Sequence, residues 1–484
     1  MTSWFLLVAC LSVASDGVMG ELSGRLESRS AATRRVAIRA LGELDSKEAY
    51  ELILPHLADE DGEVADEAQW QLSGMKSPDL FFGRGGLRSS DAWVRLRAAE
   101  LLGRMSCSIE ARALSRHLSR RSADQSAALL WSLERLARGD LLCGDLEGCG
   151  KEVARAVRYG GQAGASALLC LEALGGSELN EELEWATKRG DPLLRAAAAE
   201  ASARRSDQKD WGRIESLACD EDPGVRRVLV NTLALKPDLR KVNLLIDRLE
   251  AEEIPPVRER ILALLRAWSG TRHRYDPRPW RDWARSLSDE WRPVESDEVE
   301  VEVPMTRSFA GLPVSSSRLC VLVDLSGSIR TEMRDGVTRR DYVESELEGL
   351  LMRLPESARF NLIAFSDDPH PWRSALEFNR RGSAADAMKW FLRLSLRGKG
   401  DLFSAAELAL TDPEVDTLLV FTDGVPTGGR RWRLNLMGQL LEQECRFRGV
   451  SIDSILVGAS PRTVTAWEEI SARTGGRSVQ VSLE

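Results

Sequence analysis

Segments of one build recur along the first 270 residues of this 484-residue chain. They are "EDGEVADEAQWQL" around Val64, "SSDAWVRLRAAELLGRM" around Val94, "RGDPLLRAAAAEASA" around Leu194, "EDPGVRRVLVNTLAL" around Val225 and "EIPPVRERILALLRAW" around Val257. Each opens with an acidic or Pro/Gly turn, passes a β-branched or leucine anchor and continues rich in alanine and leucine. The anchors lie about 30 residues apart, the spacing of stacked helix pairs rather than of a compact bundle. Val36 in "TRRVAIRALGEL" opens the series, and the long gap between Val94 and Leu194 holds two degenerate copies, so seven or eight are expected. Within a copy, residues such as Val94, Ala98, Leu101 and Leu102 form one apolar stripe. A single helix pair cannot bury that stripe, so neighbouring pairs must stack. Asp191-Pro192 and Asp222-Pro223 supply a capping carboxylate followed by proline at an early helical position.

This pattern resembles HEAT-type repeats. The arginines after the anchors would then form either a ligand-binding ridge or charge pairs between repeats, and the second use is the commoner one. From Gly270 the pattern stops. "YDPRPWRDWARSLSDEWRP" predicts a Trp-rich helix closing the helical core, and "VESDEVEVEV" (Val294–Val303) an edge strand or acidic linker. The expected organisation is multidomain: a leader over 1–20, an all-α helical solenoid over 21–272, the Trp-rich helix and linker over 273–315, and a second domain over 316–484.

Hydrophobic residues make up 43 % and charged residues 29 %, the composition of a globular chain. The net charge of -9 and the absence of a basic stripe interleaved with aromatics argue against nucleic-acid binding. The four histidines are scattered, which argues against a histidine-built metal centre. The apolar run Trp4–Ala14 is too short to span a bilayer and suits a signal peptide, although no basic residue precedes it. Export to the periplasm or cell surface is expected on that reading. "LVAC" also offers Cys10 for lipid attachment, and the alternative is an N-terminal helix packed on the first repeat of a cytoplasmic protein. Cys143 and Cys149, in "LLCGDLEGCGKE", are placed for a small disulfide, whereas Cys170, Cys219, Cys320 and Cys445 fall in apolar runs and read as buried thiols.

Residues 316–484 alternate strand and helix. "RLCVLVDLS", "ARFNLIAFS", "DTLLVFTDG" and "SIDSILVGA" are near-continuous apolar strands, and "YVESELEGLLMRL", "SAADAMKWFLRL", "LFSAAELAL" and "VTAWEEISARTGG" are helices. Such strands imply a doubly wound α/β domain whose parallel sheet is covered on both faces. Ligands bind such sheets beyond the carboxyl ends of the strands, at a topological switch point. Asp324 and Asp423 each end an apolar strand, and Ser326 and Ser328 follow the first at alternate positions. Carboxylate and hydroxyl oxygens suit magnesium or manganese.

These residues resemble a von Willebrand factor A domain, with "DLSGS" similar to its metal-ion-dependent adhesion site and "TDGVPTGG" to its second aspartate loop. The resemblance extends through "FNLIAFSD" and "ARTGG". It implies metal ligation by Asp324, Ser326, Ser328 and Asp423, a Mg2+ or Mn2+ ion, and a protein partner presenting an acidic residue. One position departs from the family: Gly400 stands where a threonine is expected, Asp401 is a candidate substitute, and Lys399 adds a nearby positive charge. The expected function is a non-enzymatic interaction or scaffold protein with the solenoid as a second binding surface. The alternatives are a structural scaffold with a degenerate metal site and a metal-dependent hydrolase. A haloacid-dehalogenase-type phosphatase would need an aspartate where Ser326 stands, and no Walker glycine-lysine loop is present.

Overall fold

The computed structural model describes residues 17–288, 290–293, 308–314, 316–333, 336–395 and 397–481. The expected leader up to residue 16, with Cys10, and the acidic stretch over residues 294–303 lie outside the described residues. Eight helices cover the recurring segments and the long gap between Val94 and Leu194. They are α1 (Ala31–Glu43), α2 (Gly62–Ser73), α3 (Ala92–Leu102), α4 (Ala123–Arg138), α5 (Gly161–Leu174), α6 (Pro192–Arg205), α7 (Pro223–Leu233) and α8 (Pro255–Ser269). Shorter helices or 3-10 turns lie between them. Asp61, Asp91, Asp191 and Asp222 cap α2, α3, α6 and α7 by accepting backbone N–H groups of the first turn. In each of these helices the anchor stands three residues after the cap and is buried: Val64, Val94, Leu194 and Val225.

Val36 breaks the rule, being 53 % exposed. Ser30 caps α1, so the anchor register falls on Thr33, and Ala37, Ile38 and Leu41 form the buried stripe instead. The degenerate copies are α4 and α5, capped by Ser122 and Gly160 without an aspartate. Their stacking survives because the buried stripe, not the cap, carries the packing energy. Consecutive helices pack from α1 to α5, and again from α6 to α8.

Three arginines at these helix starts serve the pairing role, whereas Arg95 donates to the Ser89 and Ser90 carbonyls. Arg34 makes a bidentate pair with Asp59 (2.9 and 2.6 Å), Arg195 with Asp220 (2.8 and 3.0 Å) and Arg226 with Glu252 (2.8 and 2.7 Å). Each acid stands two residues before the next cap and also accepts that residue's N–H. One side chain thereby ties a helix start to the turn that opens the next repeat.

The Trp-rich segment forms α9 (Pro277–Arg285), whose Trp280 is fully buried and meets His273 and Trp283 edge to face. Two cysteine expectations fail. Cys143 and Cys149 are both free thiols. Asp145 caps the helix Leu146–Val157 through the Gly148 N–H (2.7 Å), and that helix turns Cys149 into the core while Cys143 stays exposed. Cys219 is exposed, because it is the C-cap of Trp211–Ala218 rather than part of its buried face.

The sheet is mixed. Its strands are β1 (Arg318–Asp324), β2 (Arg359–Phe365), β3 (Pro369–Pro371), β4 (Glu377–Phe378), β5 (Thr417–Thr422), β6 (Ser451–Val457) and β7 (Ser478–Val481). Their order is β7-β6-β5-β1-β2-β3, with β4 also pairing β2. The four pairings from β7 to β2 are parallel as expected. The short β3 and β4 run antiparallel to β2 and were not legible, since each has only two or three residues. Alternate strand residues (Leu319, Val321, Val323, Phe360, Leu362, Leu419, Phe421) meet Val343, Leu347 and Leu350 of α10 (Arg339–Arg353) and Met388 and Phe391 of α11 (Ser383–Arg393). The opposite face is packed by α12 (Leu402–Leu410). The remaining helices are α13 (Leu434–Arg446) and α14 (Pro461–Thr474), which ends on Gly475 in the left-handed region.

The chain divides into two compact units, one reaching to Glu182 and including Arg430–Leu436, the other comprising Leu183–Gly429 and Met437–Glu484. The helices from α6 onward thus share a unit with the sheet. Gly449 (φ 62°) stands where a Cβ would fall 2.9 Å from the Gly224 carbonyl oxygen, so the turn before β6 lies directly against the start of α7. Glu200 of α6 is buried and accepts from Arg446 (2.9 Å) and Arg204 (2.9 Å). Burial alone would raise its carboxyl, but the two arginines bring it down to about 2 from an ordinary 4.5. A depressed acid contributes stability that is complete above its unfolded value and is lost as pH falls through the folded one. Wild type is therefore expected to lose roughly 3 kcal/mol more than Glu200→Gln on acidification across that window, read by urea unfolding at stepped pH. Equal losses would show that Glu200 titrates normally.

Candidate functional site

The strand order changes direction between β1 and β5, whose pairing runs from Leu319–Thr417 to Val323–Phe421. Both neighbours continue outward from there, so their carboxyl ends open a crevice. Asp324 ends β1 inside it and is buried, at 4 % exposure. Its Oδ1 accepts the Ser326 N–H (2.8 Å) and its Oδ2 accepts the Thr422 hydroxyl (2.9 Å). Ser326 and Ser328 hydroxyls lie 3.1 Å apart, where Gly327–Arg330 forms a 3-10 turn. Asp423, one residue beyond β5, is close enough that its charge acts on Asp324. Burial pushes the Asp324 carboxyl above its ordinary value, Asp423 adds to that push, and the bonds from Ser326 and Thr422 pull against it. Asp324, Ser326 and Ser328 thus lie together at the end of β1 with Thr422, which the sequence reading missed, and Asp423 stands one residue beyond β5. The signal for Thr422 was the alternation in "FTDG", which sets it beside the end of β1.

Gly400 lies against this group: a Cβ there would stand 3.3 Å from Asp324 Oδ2. The position faces the carboxylate but offers it no side-chain oxygen. Its loop is laced to the Asp423 loop, with Gly400 N–H donating to Thr427 Oγ1 (2.9 Å) and Gly428 N–H donating to the Gly400 carbonyl (3.2 Å). Asp401 does not replace the missing oxygen. It caps α12, accepting the Ser404 N–H (3.1 Å) and hydroxyl (2.7 Å), and so turns toward the helix.

A cation of the protein's own stands here. Arg339 Nη1 donates to Asp423 Oδ2 at 3.0 Å, with the guanidinium buried and its Nε without a hydrogen-bond partner. Thr338 and Asp341 form a capping box that fixes Arg339 as the first residue of α10. Long side chains at such a position lean toward the helix N-terminus, here toward the crevice. Arg339 was missed because nothing within "TRRDY" distinguishes it from its neighbour Arg340, which pairs with Glu344 on its own helix.

Among the described residues no three His, Cys, Asp or Glu side chains group as metal ligands. The donors available to a divalent ion are therefore the Asp324 and Asp423 carboxylates with the hydroxyls of Ser326, Ser328 and Thr422. This all-oxygen set fits a hard cation, and the buried Asp324 lacks a full counter-charge. An ion bound through Asp423 Oδ2 would displace Arg339 from that oxygen.

No family model matches the chain. It is 25 % identical over 170 residues to the human von Willebrand factor A domain-containing protein 3A, a stretch covering 34 % of this chain and 13 % of the human protein. It is 35 % identical over 82 residues to the bilin biosynthesis protein PecE of Mastigocladus laminosus, covering 16 % of this chain and 30 % of that protein. The matched stretches span less than a third of either relative. A solved structure, the conserved hypothetical protein BatB of Bacteroides thetaiotaomicron, covers 34 % of this chain and 89 % of its own at 13 % identity and TM-score 0.27. About a third of this chain is thus similar to a von Willebrand factor A domain.

Proposed function

We propose that this protein is a non-enzymatic interaction protein. Its sheet domain binds a protein partner at the rim formed by Asp324, Ser326, Ser328 and Asp423, with a Mg2+ or Mn2+ ion completing the site. The HEAT-like helical array is the second binding surface. The similarity to a von Willebrand factor A domain supports an interaction role. The observation that carries the rest is a buried, under-compensated carboxylate facing two hydroxyls and a second carboxylate across a switch point. A bound divalent ion would supply a coordination position for an acidic side chain of the partner. The protein's own residues do the remainder: Thr422 and the Ser326 N–H orient Asp324, and the 3-10 turn presents the serine hydroxyls to the same point. The apolar run Trp4–Ala14 belongs to the same proposal, placing the interaction outside the cytoplasm.

Thermal melting with MnCl2 or MgCl2, together with pull-down in the presence and absence of EDTA, tests this reading. An ion that favours the folded state raises the melting point, by an amount equivalent to about 2.7 kcal/mol at a hundredfold excess over its dissociation constant. The rise should vanish in Asp324→Ala and in the milder double variant Ser326→Ala/Ser328→Ala, which keeps both carboxylates. A second reading, a structural scaffold with a degenerate site, is favoured by Gly400 and by the Arg339–Asp423 pair. Absence of any rise in wild type, with a partner retained in EDTA, would establish it. Ester or phosphate turnover lost in Asp324→Ala would instead reveal a hydrolase.

A further inference from the structure

At the opposite end of the strands, where β5 and β6 begin, lies a cavity of about 400 Å³. One wall is a face of α8 carrying Glu259, Arg260 and Arg266. Arg227 of α7, Asp453 of β6 and Arg477 before β7 complete its charged lining. The arginines are unevenly matched. Arg227 is buried and donates to the Asp416 carbonyl (2.9 Å) and the Ser451 hydroxyl (2.8 Å), neither of them a carboxylate oxygen. Arg260 donates from Nε to the Asn231 amide oxygen (2.7 Å) and pairs with no carboxylate among the described residues. Arg266 spends its Nε on the His273 carbonyl (2.9 Å). The acids that line the space are otherwise engaged: Glu259 takes the Tyr275 hydroxyl, and Asp453 takes the Arg477 N–H (2.8 Å).

Burial disfavours the charged form of Arg260, and the facing charge of Arg227 disfavours it further. Two guanidiniums that hydrogen-bond no carboxylate oxygen lie beside an open space, the charges of Asp416 and Asp453 acting on Arg227 and none offsetting Arg260, an unfavourable arrangement for an empty protein. A ligand with two anionic groups would relieve it, since guanidinium forks match carboxylate and phosphate oxygens. A cavity of this size falls in the range of small-molecule sites and would be largely unfilled by a lone inorganic ion.

We propose that this cavity is a binding site for a small organic anion bearing two or more phosphate or carboxylate groups, held by Arg227 and Arg260. Arg266 and Arg477 flank the anionic groups, and apolar parts of the wall receive the organic body. The site is separate from the Asp324 rim and does not depend on any metal there.

Isothermal titration of the full chain with fructose 1,6-bisphosphate, and separately with citrate, tests it at ionic strength held constant with KCl. The first arm detects a phosphate ligand and the second a carboxylate one. At least one should bind at concentrations up to about 10 mM, raise the melting point beyond the KCl control and lose about tenfold or more in affinity in Arg260→Gln. Arg227→Gln is a poorer probe, because Arg227 ties two strand starts together and its loss could unfold the unit. Arg260 bonds only Asn231, and Arg260→Lys, which keeps the charge without the fork, should fall between wild type and Arg260→Gln. Asp324→Ala should bind the anion as wild type does. Lack of heat and of a melting shift in both arms, or affinity unchanged in Arg260→Gln, would overturn the proposal.

Discussion

Arg431→Ala is expected to lower the unfolding free energy of the unit containing it by about 3–5 kcal/mol, the cost of removing one partner from a buried ion pair. Arg431 is 2 % exposed and donates to both oxygens of Glu100, at 2.6 and 3.0 Å. Glu100 is itself buried and otherwise receives only the Gln69 amide (2.8 Å) from a side chain. Burial would raise the Glu100 carboxyl, and the charges of Arg431, Arg104 and Arg97 hold it below its ordinary value instead. Beside it Arg97 donates to Asp66 (2.6 Å), whose other oxygen accepts the Trp432 and Arg433 N–H groups at 2.6 Å each. Truncating Arg431 therefore strands a carboxylate in the centre of a network that also fixes the backbone of residues 432–433. Urea unfolding followed by tryptophan fluorescence reads the loss, because the Arg431 guanidinium lies over the Trp93 ring at 5.5 Å. The Glu100→Gln/Arg431→Ala double variant should recover part of it, since the amide needs no counter-charge. A loss under about 1 kcal/mol in Arg431→Ala would mean that the pair is solvated like a surface one.

Arg339→Gln is expected to raise the affinity for Mn2+ by about tenfold or more. A unit charge about 4 Å from another contributes on the order of 4 kcal/mol at an effective dielectric near 20, and the ion gains only part of that when the guanidinium is removed. Glutamine keeps most of the length and a donor but carries no charge. Titration of Mn2+ followed by electron paramagnetic resonance measures the free ion directly and needs no partner. Affinity unchanged or weakened in Arg339→Gln would show that the guanidinium does not compete with the ion. Gly400→Thr adds an oxygen where the chain has none, and its Cβ needs only a small adjustment against Asp324 at 3.3 Å. The two changes should reinforce each other if they act on one site.

The aspartate-capped helices were legible because their signals are local. A capping aspartate and a buried anchor three residues on act within one turn. Where local signals fail, as at Val36, the register was misread because Ser30 and not a later residue begins the helix. The ends of β1 and β5 were legible for the same kind of reason: each apolar run stops on an aspartate followed by turn-forming residues. The disulfide was misassigned because spacing does not reveal which side of a helix Cys149 occupies.

Taken alone, the chain's periodicity determined that stacked helices precede an alternating α/β segment, and that Asp324, Ser326, Ser328 and Asp423 stand at strand ends. Only the tertiary structure decided which charges those residues meet. Arg339 reaches Asp423 across 84 positions and Arg431 reaches Glu100 across 331. Caps and amphipathic stripes are settled by neighbours along the chain, whereas a guanidinium's partner depends on which distant backbone the fold brings within hydrogen-bonding distance. Asp401 shows the same division: its capping role follows from its own helix, and that local bond removes it from the distant site its sequence position suggested.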